Sequence, residues 1–524
     1  MTSVPNRGRF ATAFSIVLLA ATLAMQLFAI AVRADREPHM DENEYMHAGW
    51  LMANGGKLYE TFFEHHSPLF FKTLELLAPE GERVDVRPYY VQARRLCGLF
   101  GLVALIAFAA LLWRVGPEAS AIGVALLVAT GPLWLRSFLE VRAETFAIAF
   151  FCIGSYLALR WRGIAGGFGI GLVAFSCLWQ PKWPLACVAI GLIWLGRTLS
   201  FRPVEEASRR FPLVAGMKAA GAALATAAAG LLAVAAIVPL DMWWFFNFEM
   251  NVALASAVET PWVMNSYFQG GVPFLFVPDA FHPWLVVPGA LLVLAAFRFD
   301  RSVWRLFPVA LLLAAFLEIR FIYPWPAIWS HYYLMWSIAS AAVLGAVPSS
   351  LAILLARTRA SEQLARTIVL AVTCAGLLLS AMHVVAVTPV TGDAATYWVS
   401  QKYLREHLQS GETIWIESPR HPVSARDAHY YWFSVGQMTH AAREMRKTPR
   451  GLRYLPPPEN FPVCNPAAKN VRYTLDPRRA GVVEAAACME QLVTTGQVRK
   501  TVFFDVWEIR LKSAPDSAPV KGNP

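Results

Sequence analysis

Phe14-Ser15-Ile16-Val17-Leu18-Leu19-Ala20-Ala21-Thr22-Leu23-Ala24-Met25-Gln26-Leu27-Phe28-Ala29-Ile30-Ala31-Val32 runs without a charged residue, and that run decides the fold class. A helix of about 20 apolar residues, rising ~1.5 Å at each, crosses the roughly 30 Å hydrocarbon layer of a membrane. Similar runs recur along most of the chain. Hydrophobic residues make up 56% of it and charged residues only 16%, against about 25% charged in an ordinary soluble protein. We read a polytopic α-helical membrane protein with about eleven transmembrane helices. They are expected at 11–32, 93–113, 119–136, 143–159, 164–180, 184–197, 219–239, 281–297, 304–318, 332–350 and 367–388. No small-residue cleavage site follows the first run, so it reads as a retained anchor.

Positive charge sets the orientation. Arg7 and Arg9 precede the first span, and alternate connections carry Arg114, Arg160, Arg162, Arg197 to Lys218, Arg298 to Arg305, and Arg357 to Arg366. Those connections are expected in the cytoplasm, which places the loop 34–92 and everything from about 389 outside. The formal charge of +10 is then topological, and no nucleic-acid partner is expected. Of the seven cysteines, Cys97, Cys152, Cys177, Cys187 and Cys374 lie in apolar spans and read as packing residues. Cys464 and Cys488 stand in the outward tail, where an oxidising compartment favours pairing.

Just outside the first run comes Met40-Asp41-Glu42-Asn43-Glu44-Tyr45, and later in the same loop Glu64-His65-His66-Ser67-Pro68. Carboxylates at the mouth of a membrane domain suit acid–base work or the holding of a cation. Asp41 also reads as a helix N-cap with Glu44 completing a capping box, which leaves Glu42 and the histidines without a role. The pair His65 and His66, with Glu64 and near Asp41 and His47, suggests a divalent metal site, with Glu42 and His65 as its first candidate ligands. Glu42 to Asn54 has helical texture and stops at Gly55–Gly56. Leu69 to Leu77 is too short to span and is expected as an interfacial amphipathic helix. Beyond 390 the texture changes, with a helix over Thr396 to Leu408 and strands over Thr413 to Ile416 and Thr501 to Leu511. The expected domains are a transmembrane part at 1–389, a small outward α/β domain at 390–512 and a disordered tail at 513–524.

Four outward cations resist the topological bias: Arg136, Arg142, Lys182 and Arg320. A cation kept there answers an anion, either a carboxylate or a phosphate, unless it snorkels to headgroups. Lys182, in Trp179-Gln180-Pro181-Lys182-Trp183, favours phosphate, and Arg136 favours snorkelling. Gly166-Gly167-Phe168-Gly169-Ile170-Gly171 sits inside a span and reads as a close-packing helix face. No Walker lysine motif, GxSxG elbow or kinase signature occurs.

An acidic pair after the first span, a His-Pro-containing stretch in the same loop and Arg142-Ala143-Glu144 at the next outward lip together resemble the C-type (GT-C) glycosyltransferases. Within them the chain is most similar to the branch of protein O-mannosyltransferases and lipid A aminoarabinose transferases. Gln180–Lys182 and the Pro-rich segment ending His331-Tyr332-Tyr333 are also similar to bacterial members. The resemblance implies a GT-C-like fold and a sugar donor carried on a polyprenyl phosphate. It implies Asp41 as catalytic base with Glu42 orienting the acceptor or holding a cation, and inversion at the anomeric carbon. Lys182, Arg142 and Arg320 would meet the donor phosphate, while Glu144, His65, His66, His331 and Tyr332 would line the substrates. Ala143–Glu144 stands where many relatives have Pro-Asp. The expected cofactor is a divalent metal ion, and the acceptor a lipid, glycan or protein. The expected location is the bacterial inner membrane, with the N-terminus cytoplasmic and the C-terminal domain periplasmic. Two other readings stay open: a transporter or flippase for a lipid-linked substrate, and a non-catalytic binder of a lipid-linked glycan.

Overall fold

The computed structural model describes residues 5–38, 40–130, 140–199, 211–257, 283–319, 334–355, 392–416, 421–430, 441–456, 461–475, 483–501 and 506–510. Five described helices are long and apolar enough to cross a membrane: Thr12–Val32, Arg87–Trp113, Ala143–Arg160, Val214–Ala235 and Leu334–Leu355. Five shorter apolar helices lie at Pro117–Val128, Ile164–Trp179, Pro184–Thr198, Trp284–Phe297 and Val303–Leu317. Together they fall on every expected span except 367–388, which lies outside the described residues. Arg136, Arg320, His331, Tyr332 and the tail 513–524 also lie outside them. The protein is a multi-pass membrane protein.

The chain divides into two compact units, each assembled from three separate stretches. The first comprises Met1–Ala34, Gln92–Ile237 and Thr260–Val390, and holds most of the apolar helices. Lipid is as apolar as leucine, so helix pairing inside a membrane depends on close backbone approach at small residues. The helix Ile164–Trp179 shows this on two sides, packing on Ala143–Arg160 and on Phe211–Ala235. A Cβ added at Gly167 would stand 1.9 Å from the carbonyl oxygen of Ala219, and one at Gly154 would stand 2.6 Å from that of Gly169. The glycine-rich run is therefore a packing face. Leu334–Leu355 packs similarly on Pro117–Thr130, where a Cβ at Gly345 would meet the Ala119 carbonyl at 2.6 Å. At the polar end of Val303–Leu317, buried Arg305 bonds Asp300 at 2.7 Å and reaches the Ser349 and Ser350 hydroxyls at 3.3 Å.

The second unit comprises Asp35–Val91, Val238–Glu259 and Thr391–Pro524. Its first helix, Met40–Ala53, ends where Gly55 takes φ +87° and the Gly56 N–H returns to the Leu51 carbonyl, an αL stop of the expected kind. The helix begins at Met40, so Asp41 lies within its first turn instead of capping it. Pro68–Glu75 forms the short second helix, with Leu69, Phe70, Phe71 and Leu74 buried. It packs on Met40–Ala53, and a Cβ at Gly49 would meet Leu74 Cβ at 2.6 Å. Its apolar face is covered by protein, with Tyr45 edge-on to Phe70.

Among the described residues the unit also holds a four-stranded sheet. The strands are β1 Thr413–Trp415, β2 Val471–Leu475, β3 Val498–Lys500 and β4 Val506–Ile509. β1 pairs parallel with β2, while β4 pairs antiparallel with both β2 and β3. The helix Gly392–His407 matches the expected one, and the described part of the strand expected over Thr501 to Leu511 includes β4. The helix Val483–Thr494 carries Cys488, which forms a disulfide with Cys464.

Candidate functional site

The second unit holds Asp41, Glu42, Glu44, His47, Glu64, His65 and His66. In the helix Met40–Ala53, Glu42, Asn43, Glu44 and His47 are buried while Asp41 is half-buried. Carboxylates in a first helical turn sit where the helix dipole favours negative charge. Glu42 Oε2 lies 3.8 Å from Arg36 Nη2. Asn43 is fully engaged: its Oδ1 accepts from the Tyr90 and Tyr397 hydroxyls, and its Nδ2 donates to the His421 carbonyl at 2.9 Å. That last bond spans 378 residues of sequence.

Glu64, His65 and His66 form one cluster with Glu44. Glu64 Oε1 accepts from the His65 backbone N–H and from His66 Nδ1, each at 2.7 Å, and lies 3.3 Å from His65 Nδ1. His65 Nδ1 is 3.9 Å from Glu44 Oε1, and His66 Nε2 is 3.3 Å from the Tyr45 hydroxyl. Burial pushes the Glu64 carboxyl up, but the two imidazoles and their hydrogen bonds more than offset it and hold it below the usual range. Its second oxygen, Oε2, is buried with no hydrogen-bond partner among the described residues. Ligand atoms of the four residues lie within 4.8 Å of one another. Two imidazoles, two carboxylates and an unsatisfied buried oxygen fit a divalent cation of the zinc type. Of the two expected ligands, His65 is in this group. Glu42 is not, and Glu44, Glu64 and His66 take its place.

The turn carrying these histidines is held from behind. Tyr59 adopts φ +67°, a left-handed conformation that costs a bulky residue about 1–3 kcal/mol. Its hydroxyl donates to the His66 carbonyl at 2.8 Å and accepts from Asn247 Nδ2 at 2.8 Å, and its own carbonyl accepts from the Tyr430 hydroxyl at 2.7 Å. Its ring stacks on Phe246 with centroids 4.4 Å apart. Burial raises the Tyr59 phenol well above its ordinary range. Asn251 Nδ2 donates to the His65 carbonyl at 3.0 Å. Asn247 lies in the π-helical turn Phe245–Glu249, a device often found where a helix must redirect a functional side chain.

A second histidine–carboxylate group lies in the same unit. His47 Nε2 and His421 Nε2 face the two oxygens of Asp427 at 2.5 and 2.8 Å. Burial and the nearby His47 push His421 down to about 4. Burial raises Asp427, but the two imidazoles outweigh it and lower the carboxyl to about 2. Sequence reading noticed His47 only as a neighbour and missed His421, Asp427, Asn43, Tyr59, Asn247 and Asn251. The one local signal for the last two was their spacing of four within an aromatic helical stretch.

In the first unit, Arg142 and Lys182, the two described cations among the four singled out in the sequence, are answered by carboxylates. Arg142 precedes the helix Ala143–Arg160, and its Nε donates to Glu140 Oε2 at 2.8 Å, both side chains being buried. Lys182 Nζ donates to Glu144 Oε1 at 2.8 Å.

No family model matches the chain, and no curated protein matches it. Among solved structures, ArnT from Cupriavidus metallidurans bound to undecaprenyl phosphate is similar with TM-score 0.51 and 14% identity, covering 96% of this chain and 99% of that one. Oligosaccharyltransferase AglB from Archaeoglobus fulgidus, in complex with an inhibitory peptide and a dolichol-phosphate, is similar with TM-score 0.48 and 13% identity over 96% of this chain and 75% of that one. A further structure of the Archaeoglobus fulgidus oligosaccharyltransferase, in complex with Zn and sulfate, gives TM-score 0.48 and 13% identity over 87% and 67%.

Proposed function

We propose that this chain, a multi-pass membrane protein with the GT-C fold, is a glycosyltransferase. On this reading it transfers a sugar from a polyprenyl-phosphate donor to an acceptor hydroxyl or phosphate, at the outer face of a bacterial inner membrane. The observation that carries the reading is Asp41. It is a half-buried carboxylate in the first turn of a helix whose next three residues are buried, on a chain that shares its fold with a polyprenyl-phosphate-binding transferase.

In the proposed reaction Asp41 accepts the proton of the acceptor hydroxyl. The freed oxygen pair bonds to the anomeric carbon as the bond from that carbon to the phosphate oxygen breaks, and the lipid phosphate leaves with the electron pair. Direct displacement needs one base and inverts the carbon. Asp41 sits in a first helical turn, where the helix dipole favours negative charge, and a carboxylate there would serve as the base. Glu42, beside Arg36, orients the acceptor. Lys182, Arg142 and Arg320 supply positive charge for the leaving phosphate, and Glu144 and Glu140 hold the first two in a fixed posture. His331 and Tyr332 border the donor. Glu44, Glu64, His65 and His66 would hold a divalent ion, which supplies Lewis-acid charge when bound. The Cys464–Cys488 disulfide supports a periplasmic position for the proposed domain 390–512, because disulfides persist in oxidising compartments. The transmembrane part, 1–389 with its outward loop 34–92, would contribute the base.

The test is turnover by purified protein in nanodiscs with a panel of radiolabelled polyprenyl-phosphate sugars. Asp41→Asn should lower transfer by about 10²–10⁴-fold, the usual worth of a positioned general base, while donor binding persists. Equal turnover by the variant, or lipid translocation without transfer in both proteins, overturns the reading.

A further inference from the structure

His47 stands one helical turn beyond Glu44 and is buried on the helix Met40–Ala53. Its Nδ1 lies 2.6 Å from the carbonyl oxygen of Val423. A carbonyl only accepts, so Nδ1 carries a hydrogen there, which makes Nε2 the ring atom that could bind a metal. That Nε2 points at Asp427 Oδ2 at 2.5 Å. His421 brings its own Nε2 to Oδ1 of the same carboxylate, and the two rings lie 4.0 Å apart between centroids. A cation shared among the three groups would engage every one of them.

We propose that His47, His421 and Asp427 form a second divalent-metal site, of the zinc class, distinct from the group around Glu64. The three ligand atoms lie within 4.8 Å of one another. Two imidazole nitrogens and one carboxylate oxygen are a donor set that zinc accepts, with its remaining position open to water. The bond from His47 Nδ1 to a backbone carbonyl is the kind of contact that fixes the ring of a metal-bound histidine and raises its basicity. The stacked Trp50 indole, 5.6 Å from the His47 ring centroid, walls off one side.

The site's role follows from where its residues come from. His47 and Asp427 are 380 residues apart in sequence, and all three belong to the second unit. An ion here fastens the helix that carries Asp41 to the segment 421–427, fixing the helix through its middle while the acidic turn stays at its end. Nothing in this inference depends on the transferase reading.

The test counts metal. Full-length protein in detergent is stripped with chelator, reloaded with zinc and dialysed, and bound metal is measured by mass spectrometry. His421→Ala and Asp427→Asn should each hold one zinc fewer per chain than wild type, and Glu64→Gln should keep that zinc. Cobalt(II) provides a measure independent of the first two variants: Glu64→Gln should show the visible bands of a site with nitrogen and oxygen ligands. Equal zinc in wild type and His421→Ala overturns the proposal, as does a wild type that binds no cobalt. A metal count lost with Glu64→Gln but kept by His421→Ala assigns the only ion to the other group and also overturns it.

Discussion

Lys182 and Glu144 make a nearly buried ion pair, and removing one member of such a pair costs about 3–5 kcal/mol because the other charge is left without compensation. A loss of activity in Lys182→Met alone would therefore say nothing about phosphate. The double variant Lys182→Met with Glu144→Gln separates the roles. If Lys182 holds the donor phosphate, the double variant should recover yield and thermal stability in detergent while transfer stays at the level of the single variant. Recovery of transfer as well would reduce the lysine to a structural partner of Glu144. At this scale the sequence showed part of the site. Asp41, His65 and His66 were singled out because they are polar residues crowded into one loop, with Glu64 noted as their neighbour, whereas Glu44 was read only as a capping-box residue. His421, Asp427 and Asn247 were not singled out, since they meet that loop across hundreds of residues and no local pattern marks such a meeting. The carboxylate partners of Arg142 and Lys182 were anticipated as a class, but Glu144 was read as a substrate residue and Glu140 was given no role.

Among the elements, the apolar helices were the easiest to read, because a membrane imposes their length and composition directly. The glycine face of Ile164–Trp179 was equally plain, since only close backbone approach explains so many glycines inside a span. That face makes a paired prediction. Gly167→Ala would place a methyl group within 1.9 Å of the Ala219 carbonyl, so the helices must separate, and monodisperse protein should fall sharply in fluorescence-detected size exclusion. Gly191→Ala, on Pro184–Leu199, adds its methyl to open space. It should be neutral or gain up to about 1 kcal/mol, the helix preference of alanine over glycine. Similar behaviour by the two variants would contradict the packing. The short strands β2 and β3 escaped sequence reading because three to five residues carry too little alternation to stand out, and their pairing depends on β4 from later in the chain.

For the whole molecule, the Cys464–Cys488 link closes a loop of 24 residues, worth about 3 kcal/mol in chain-entropy terms. Replacing both cysteines with serine should make the segment 461–510 markedly more sensitive to limited proteolysis. In intact cells, a membrane-impermeant maleimide should label these two positions only after reduction. Labelling before reduction would argue against the disulfide, and no labelling even after reduction would argue against the proposed sidedness. The division of the chain into interleaved stretches carries a consequence for biosynthesis. The helix with the acidic turn leaves the ribosome early, yet the carbonyl that Asn43 bonds and the carboxylate that His47 faces arrive only with residues 421–427. Its polar face must wait, wet and unmatched, while most of the apolar helices are inserted, so the second unit closes only after residues 421–427 have been made. A nascent chain released early would present an unpaired acidic helix outside the membrane, an evident mark for degradation.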